Sequence, residues 1–339
     1  IRAIITLTQE QDTRILKYCS AAFRFMSEIP LLANAMIDEG AVSAISDVVK
    51  VPVDEFASTN LAVALVNLTR INGKEAYLVE GSMVLALQNI IMNRSELSSL
   101  CSRGLYNLTC VDGMYPLMER LIRSVISVSS SNVSSVRHIC AAALCNLSDL
   151  KLMRARLVEE GTISVLGTIA RHAPTRTRRV CGVIMQNLSA TKSCRVEMVV
   201  RSCVHVAHNL SSDKDPIILR CVGLTLARLS TEHQNSQRII QELGVGALCN
   251  IAMKFPTIPG ITQPVSTAFQ LLARQESVRR PIVEKENCVT ALAQLLHNSE
   301  DKFTLQNSLY ALCNLMLEPN NHLPVVQQGL ILTLINMSS

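Results

Sequence analysis

The sequence predicts an all-α protein built from tandem repeats, an α-solenoid of about eight three-helix units. A Leu/Met-x-Asn-Leu-Ser/Thr pentapeptide recurs as LVNLT, LYNLT, LCNLS and MQNLS, centred on Asn67, Asn107, Asn146 and Asn187. Degraded copies centred on Phe25, Arg228, Gln270 and Asn314 give successive intervals of 42, 40, 39, 41, 41, 42 and 44 residues. This nearly constant period is typical of helical units that bury their apolar faces only by stacking on their neighbours.

Each repeat begins with a short helix that ends at a turn. A turn signal follows most Asn-type positions by fourteen to seventeen residues, and Gly or Asn at such a point supplies the left-handed residue that closes a helix. The signals are Glu39-Gly40, Glu80-Gly81, Glu160-Gly161, Leu243-Gly244, Glu286-Asn287 and Gln328-Gly329.

Two longer helices complete the repeat. An apolar stretch follows each turn, for example AVSAISDVV, TISVLGTIA and CVTALAQLL, with apolar residues three and four apart, which predicts a second helix. A polar break that contains Pro or Ser then leads into the third helix, which carries the Asn. These breaks are 52–58, 129–135, 173–177 and 212–216.

The three-helix division, the Gly after the first helix and the Asn-Leu-Ser/Thr ending of the third helix resemble the armadillo-repeat family over essentially the whole chain. The resemblance implies a right-handed superhelix whose third helices line a concave groove. It also implies that the Asn of each third helix grips the backbone of an extended peptide in that groove. The residues that this places in the groove are Asn67, Asn107, Asn146, Asn187 and Asn314.

Arginine is unevenly placed along the chain, where it supplies 23 of the 32 basic residues. Some arginines occur four or eight residues before an Asn-type position, or in it, and residues at these spacings lie near one face of a helix. Guanidinium groups bind carboxylates and phosphates through paired hydrogen bonds. The sequence therefore predicts a positive strip that binds an acidic or phosphorylated segment, formed by Arg103, Arg179, Arg220 and Arg228.

Twelve cysteines fit a buried repeat core better than a metal site or a disulfide framework. Four of them lie six residues before an Asn-type position, and there is no CxxC: Cys19, Cys101, Cys140 and Cys181. Free Cys in a core behaves as a small hydrophobic residue, and its use here indicates a reducing, cytoplasmic compartment.

Signals for catalysis are weak, and we expect neither an enzyme nor a bound cofactor or metal. A hidden metal site could rest on Cys203, His205 and His208, but no carboxylate or HExxH motif completes it. No phosphate-binding loop or nucleophile elbow is present.

Other partner classes are disfavoured by composition. The net charge is +5 and the aromatic content is 3%, which argues against a nucleic-acid surface. No apolar run approaches the roughly 18 to 20 residues of a membrane span.

We therefore expect a single domain over residues 1–339, with partial repeats at both ends, that acts as a non-catalytic protein-binding scaffold in a larger assembly. Within that class we favour a cytoskeletal or axonemal location, in a cilium or flagellum, on family analogy alone. The alternative is a transport adaptor similar to importin-α. That reading is disfavoured because the position four residues before each Asn, where importin-α has Trp, holds Val63, Arg103, Ala142, Val183, Leu224, Ser266 and Tyr310.

Overall fold

The computed structural model describes residues 1–10, 12–110, 118–285 and 287–327, and this part of the chain contains helices and no strands. It divides into two units, Ile1–Glu160 and Gly161–Ser339. The single domain expected over 1–339 stays a prediction. None of the described helices is long and apolar enough to cross a lipid bilayer.

The first unit contains eleven described helices. They are α1 (Arg2–Leu7), α2 (Thr13–Ser27), α3 (Pro30–Asp38), α4 (Ala41–Val48), α5 (Glu55–Leu68), α6 (Glu75–Glu80), α7 (Met83–Asn93), α8 (Ser98–Leu108), α9 (Met118–Val128), α10 (Ser134–Asp149) and α11 (Arg154–Glu159). Turns of 3-10 helix occur at Thr8–Glu10, Ser95–Leu97 and Lys151–Met153.

The second unit contains twelve described helices. They are α12 (Thr162–His172), α13 (Thr175–Ser189), α14 (Arg195–Val200), α15 (Cys203–Ser211), α16 (Pro216–Leu229), α17 (Ser236–Gln241), α18 (Gly244–Lys254), α19 (Pro259–Ala273), α20 (Glu276–Val283), α21 (Cys288–Asn298), α22 (Lys302–Met316) and α23 (His322–Gln327). Here 3-10 turns occur at Lys192–Cys194, His233–Asn235 and Pro319–Asn321.

The predicted three-helix division is confirmed in the repeats whose helices are all described, which leaves out the repeat that contains residues 111–117. The third helices, which carry the Asn-type positions, are α2, α5, α8 and α10 in the first unit and α13, α16, α19 and α22 in the second. Within each unit every third helix packs against the next, as α2 does on α5 and α16 on α19. The second helices stack in the same way, for example α4 on α7 and α15 on α18. Each unit is therefore layered, with short helices joining the layers.

Stacking buries the residue after the Asn. Leu68, Leu108, Leu147, Leu188 and Leu229 are all fully buried. The four cysteines six residues before an Asn-type position are also buried, as predicted, and nine of the twelve cysteines are buried in all. The core is thus made mainly of aliphatic and thiol side chains from successive repeats, and the rings of Phe23 and Phe269 are also fully buried.

The seventh copy of the pentapeptide is displaced by one residue from its predicted register. Leu271, which the sequence places at the buried position after Gln270, is half-buried, whereas Leu272 and Ala273 are buried. In α5, α8, α10, α13 and α16 two buried residues follow the Asn-type residue directly, as Leu108 and Thr109 do after Asn107. Leu271 therefore occupies the Asn-type position of α19, and Gln270 precedes it. The shift could not be recognised in the sequence, because Leu271 and Leu272 are adjacent and either could be the leucine that follows the Asn-type residue.

The turns between first and second helices follow the prediction in part. Gly40, Gly161 and Asn287 adopt positive φ angles of 83°, 95° and 66°, as expected. Gly81 does not, because its backbone is extended, with φ −74°. Ser202 takes the same left-handed role with φ 62°, although no Gly or Asn marks a turn there. The predicted turn at Gln328-Gly329 lies outside the described residues, as does Glu286.

At the Leu243-Gly244 turn the left-handed residue is Leu243, with φ 66°, and not the glycine. Gly244 begins α18 instead. A Cβ atom there would lie 2.7 Å from the backbone oxygen of Ile239, so the position needs glycine because two backbone segments approach closely.

Candidate functional site

The asparagines of the repeat motif join neighbouring third helices. Asn67 Nδ2 donates to Ser27 Oγ at 3.1 Å, and Asn107 Nδ2 donates to Thr69 Oγ1 at 2.9 Å. Asn146 Nδ2 donates to Thr109 Oγ1 at 3.1 Å. In each case the acceptor is the hydroxyl two residues after the Asn-type position of the preceding repeat.

The hydroxyl in each contact is held by its own helix. Thr69 Oγ1 donates to the carbonyl oxygen of Val66 at 2.7 Å while it accepts from Asn107. Thr109 Oγ1 donates in the same way to Tyr106 O at 2.7 Å. A hydroxyl can donate once and accept at the same time, so the Ser or Thr of the pentapeptide is needed to receive the next Asn.

The amides of Asn67 and Asn107 keep further hydrogen-bonding capacity. Asn67 and Asn107 are half-buried, and each contact above uses one of the two N–H groups of the amide. Asn67 also lines an open cavity of about 550 Å³ with Ser27, Asn34 and Arg70. An amide in this position can contact a bound chain without losing its bond to the preceding repeat. Binding by Asn67, Asn107, Asn146, Asn187 and Asn314 stays a prediction.

Asn314 differs from the other four in what precedes it. The position that Thr69 and Thr109 take in their repeats is held by Ala273 before Asn314, which has no hydroxyl. Asn187 follows Ser148, which keeps the hydroxyl. Both asparagines are half-buried on their third helices.

Arg179 is neutralised within the protein. Its Nε donates to Asp215 Oδ2 at 2.7 Å, and its Nη2 contacts the same oxygen. Asp215 is almost buried and also caps α16, where its Oδ1 accepts from the backbone N–H groups of Ile217 and Ile218. The Arg179 guanidinium and these N–H groups hold the pKa of Asp215 below its usual value. The neighbouring Arg178 forms an ion pair with Asp213 at 3.2 Å.

The remaining arginines of the predicted strip differ in exposure. Arg228 is half-buried, and its Nη1 donates to the carbonyl oxygen of Gln186 at 2.7 Å. Arg103 and Arg220 are exposed. Arg103 lies in the first unit and the other three lie in the second, so a continuous strip stays a prediction. The sequence did not indicate Asp213 or Asp215 as partners, although Asp before Pro216 is a recognisable cap signal.

The histidine and cysteine cluster considered as a metal site is not assembled. Cys203 is fully buried and His205 is exposed, so their side chains lie on different faces of α15. Burial raises the pKa of the Cys203 thiol far above its ordinary value, and burial lowers the pKa of His208. No group of three or more His, Cys, Asp or Glu side chains within the described ranges could hold a metal ion.

Comparison with solved structures identifies the fold. An engineered protein of known crystal structure aligns with a TM-score of 0.56 and 17% identity, over 99% of this chain and 93% of its own. A second engineered protein gives 0.53 and 18%, over 69% of this chain and 96% of its own. A designed armadillo repeat protein in complex with the peptide (KR)4 gives 0.51 and 15%, over 68% and 99%. No protein-family model and no curated protein matches the sequence. The chain has an armadillo-like repeat fold.

Proposed function

We propose that the protein is a non-catalytic scaffold that binds an extended segment of a partner protein along its third helices. The observation that carries the proposal is the amide series of Asn67, Asn107 and Asn146, which recurs on successive third helices of the first unit. Each amide is fixed by the preceding repeat and keeps its carbonyl, and Asn67 and Asn107 also keep a second N–H, whereas Asn146 Nδ2 also donates to Cys110 Sγ at 3.4 Å. A row of fixed amides matches the donors and acceptors of a peptide backbone.

The charge of the partner follows from the arginines that remain exposed. Arg103 and Arg220 lie on third helices with exposed side chains, and Arg176 adds a third at the start of α13. Exposed guanidinium groups favour carboxylate or phosphate ligands. The designed armadillo protein noted above was solved with a basic peptide. Here we expect the opposite sign, an acidic or phosphorylated segment.

The cellular setting rests on the family resemblance. We keep a cytoskeletal or axonemal assembly as the proposed location, and no residue contact described above bears on it. The importin-like alternative has no supporting observation, because no Trp is present anywhere in the sequence.

The test uses two fluorescein-labelled octapeptides, one alternating Glu and Ser and one alternating Lys and Ser. Fluorescence anisotropy would measure binding of each peptide to the full chain at low and high salt. We expect the acidic peptide to bind more tightly, and its affinity to fall as salt screens the exposed charges. Tighter binding of the basic peptide, or equal affinity for both, would contradict the proposed partner chemistry.

A further inference from the structure

An open cavity of about 480 Å³ lies beside the start of α5, and α2 forms one wall of it. Its lining residues are Arg24, Asp54, Glu55, Phe56, Thr59 and Asn60. None of them belongs to the amide series or to the arginines discussed above, although the cavity lies between two third helices.

One buried hydrogen-bond donor in this cavity has no partner, and a second is held only by a long ion pair. Asn60 is 2% exposed, and its Oδ1 accepts from Arg24 Nη1 at 3.2 Å, but its buried Nδ2 has no partner. Arg24 Nε lies 3.5 Å from Glu28 Oε1 in an ion pair and makes no hydrogen bond. Unsatisfied buried donors are rare and destabilising. The unsatisfied Asn60 donor beside the cavity fits an oxygen acceptor supplied by a ligand.

A second asparagine, at the same position of another repeat, has a hydrogen-bond acceptor for its side-chain amide. Asn307 and Asn60 both lie seven residues before the Asn-type residue of their third helix. Asn307 Nδ2 donates to Thr267 Oγ1 on the preceding third helix at 3.2 Å. The position equivalent to Thr267 in the repeat before Asn60 is Ala21, which has no hydroxyl. The donor of Asn60 is therefore left unsatisfied by a specific residue difference.

The net charge around the cavity indicates which kind of ligand oxygen can bind there. The charged groups at and near the cavity are the cations Lys17 and Arg24 and the carboxylates Glu28, Asp54 and Glu55, which leaves one net negative charge. A carboxylate or phosphate ligand would be repelled by this surplus. A neutral carboxamide presents its oxygen to the Asn60 donor and its N–H groups to the carboxylates, so it satisfies both kinds of group.

An aromatic wall completes the cavity. Phe56 is 51% exposed, and Lys17 Nζ lies 5.2 Å from the centroid of its ring. The ring offers an apolar surface to the methylene groups of a bound side chain, and the Lys17 contact holds the ring in place.

We propose that this cavity binds the carboxamide side chain of a Gln or Asn residue in the partner segment. The proposal rests on the proposed function, since it assumes that a partner chain lies along the third helices. It adds a neutral anchor in the first unit to the acidic character expected elsewhere in the segment.

The experiment titrates the full chain with N-acetyl-glutamine methylamide and follows the side-chain amide resonances of asparagine by NMR. For a probe of this size we expect a Kd on the order of 1 mM, with shifts at the Asn60 amide. Asn60→Asp keeps the shape and can pair with Arg24 but removes the donor, and should weaken binding by about tenfold. Phe56→Ala, at an exposed side chain that can be removed without disturbing the core, should also weaken it.

Asn307→Asp is the matched control, because it alters the same repeat position where the amide is already satisfied, and probe affinity should not change. N-acetyl-glutamate methylamide should bind more weakly than the glutamine probe. The proposal is overturned if the glutamine probe leaves the Asn60 amide unshifted, if Asn60→Asp binds it as wild type does, or if the glutamate probe binds equally well. Binding of the acidic octapeptide without these shifts would refute the carboxamide site and leave the scaffold proposal standing. Shifts at the Asn60 amide without binding of the acidic octapeptide would support the carboxamide site and refute the scaffold proposal.

Discussion

Asn107 donates its side-chain amide to the hydroxyl of Thr69 across 2.9 Å, and this bond joins α8 to the end of α5. The same relationship links Asn146 to Thr109 and Asn67 to Ser27. The Asn and the Ser or Thr of the pentapeptide therefore act together across repeats, because the Asn of one repeat donates to the hydroxyl of the repeat before it. The amide therefore contributes to stability as well as to the proposed binding.

Replacing Asn107 by Ala should lower the free energy of unfolding by about 1 kcal/mol, because a single hydrogen bond is lost. Thr69→Val should cost a similar amount, and the double variant should cost less than the sum of the two. Urea denaturation followed by circular dichroism measures all three. Asn314→Ala is the control, since Ala273 offers it no hydroxyl. Additive losses in the double variant would show that the two residues are not coupled.

Alanine substitutions at two glycines distinguish the effect of backbone strain from the effect of side-chain packing. Gly40 has φ 83° and Gly260 lies in α19, and a Cβ atom at either would meet nothing within 4 Å. Gly40→Ala should therefore destabilise by about 1–2 kcal/mol through its left-handed backbone alone. Gly260→Ala should stabilise by about 0.5–1 kcal/mol, since Ala favours the helix. Thermal melting checks both, and a lower melting temperature for Gly260→Ala would contradict the packing described for α19.

The cysteines should divide into two classes of reactivity. Nine of the twelve are buried, Cys145 is intermediate, and Cys110 and Cys313 are exposed. Burial raises the pKa of Cys101 and Cys140 to about 12, so these thiols stay protonated and unreactive at neutral pH. Labelling of native protein with a bulky maleimide should modify Cys110 and Cys313 first. Rapid labelling of most cysteines would show that the repeat core is not closed.

The Arg179 and Asp215 ion pair should make stability depend on pH. Because the folded pKa of Asp215 is lowered, its contribution is fully present above the unfolded pKa of about 3.9 and is lost as pH falls through the folded value. Arg179→Gln should therefore lower the melting temperature at pH 7, and the difference from wild type should shrink below pH 4. Arg176→Gln, an exposed change on the same helix, is the control. An equal difference at pH 3 and pH 7 would contradict the pairing.

The sequence was sufficient for the features that periodicity controls. It predicted the three-helix division, the buried leucines such as Leu147 and the buried cysteines such as Cys140, because each follows from a position that recurs in every repeat. It did not predict that Arg179 would be paired, because Asp215 lies 36 residues away and becomes its neighbour only through stacking of α13 on α16. The register of α19 was missed because Leu271 and Leu272 are the same residue type.

In the candidate site, too, the sequence predicted positions that recur in every repeat but not contacts between repeats. The repeat pattern located the asparagines but not what their amides contact, since distances between repeats are set by packing. Asn60 gave no signal at all. The sequence could not show that its Nδ2 is buried without a partner. That follows only from the folded arrangement, in which Arg24 donates to its Oδ1 and Ala21 of the preceding repeat offers no hydroxyl.

The central claim is that exposed arginines on the third helices hold an acidic segment. The most direct measurement is the affinity of the labelled Glu-Ser octapeptide for a variant with Arg176→Gln and Arg220→Gln, two exposed arginines on the neighbouring third helices α13 and α16 of the second unit. Its control carries Arg171→Gln and Lys151→Gln, an equal charge change at exposed positions outside the third helices. Each exposed charged contact is worth about 0.2–1 kcal/mol, so binding to the first variant should weaken about two- to thirtyfold in all, and binding to the control should stay close to wild type. Equal weakening in both variants would mean that the peptide responds only to net charge, and unchanged affinity in the first would mean that it binds elsewhere.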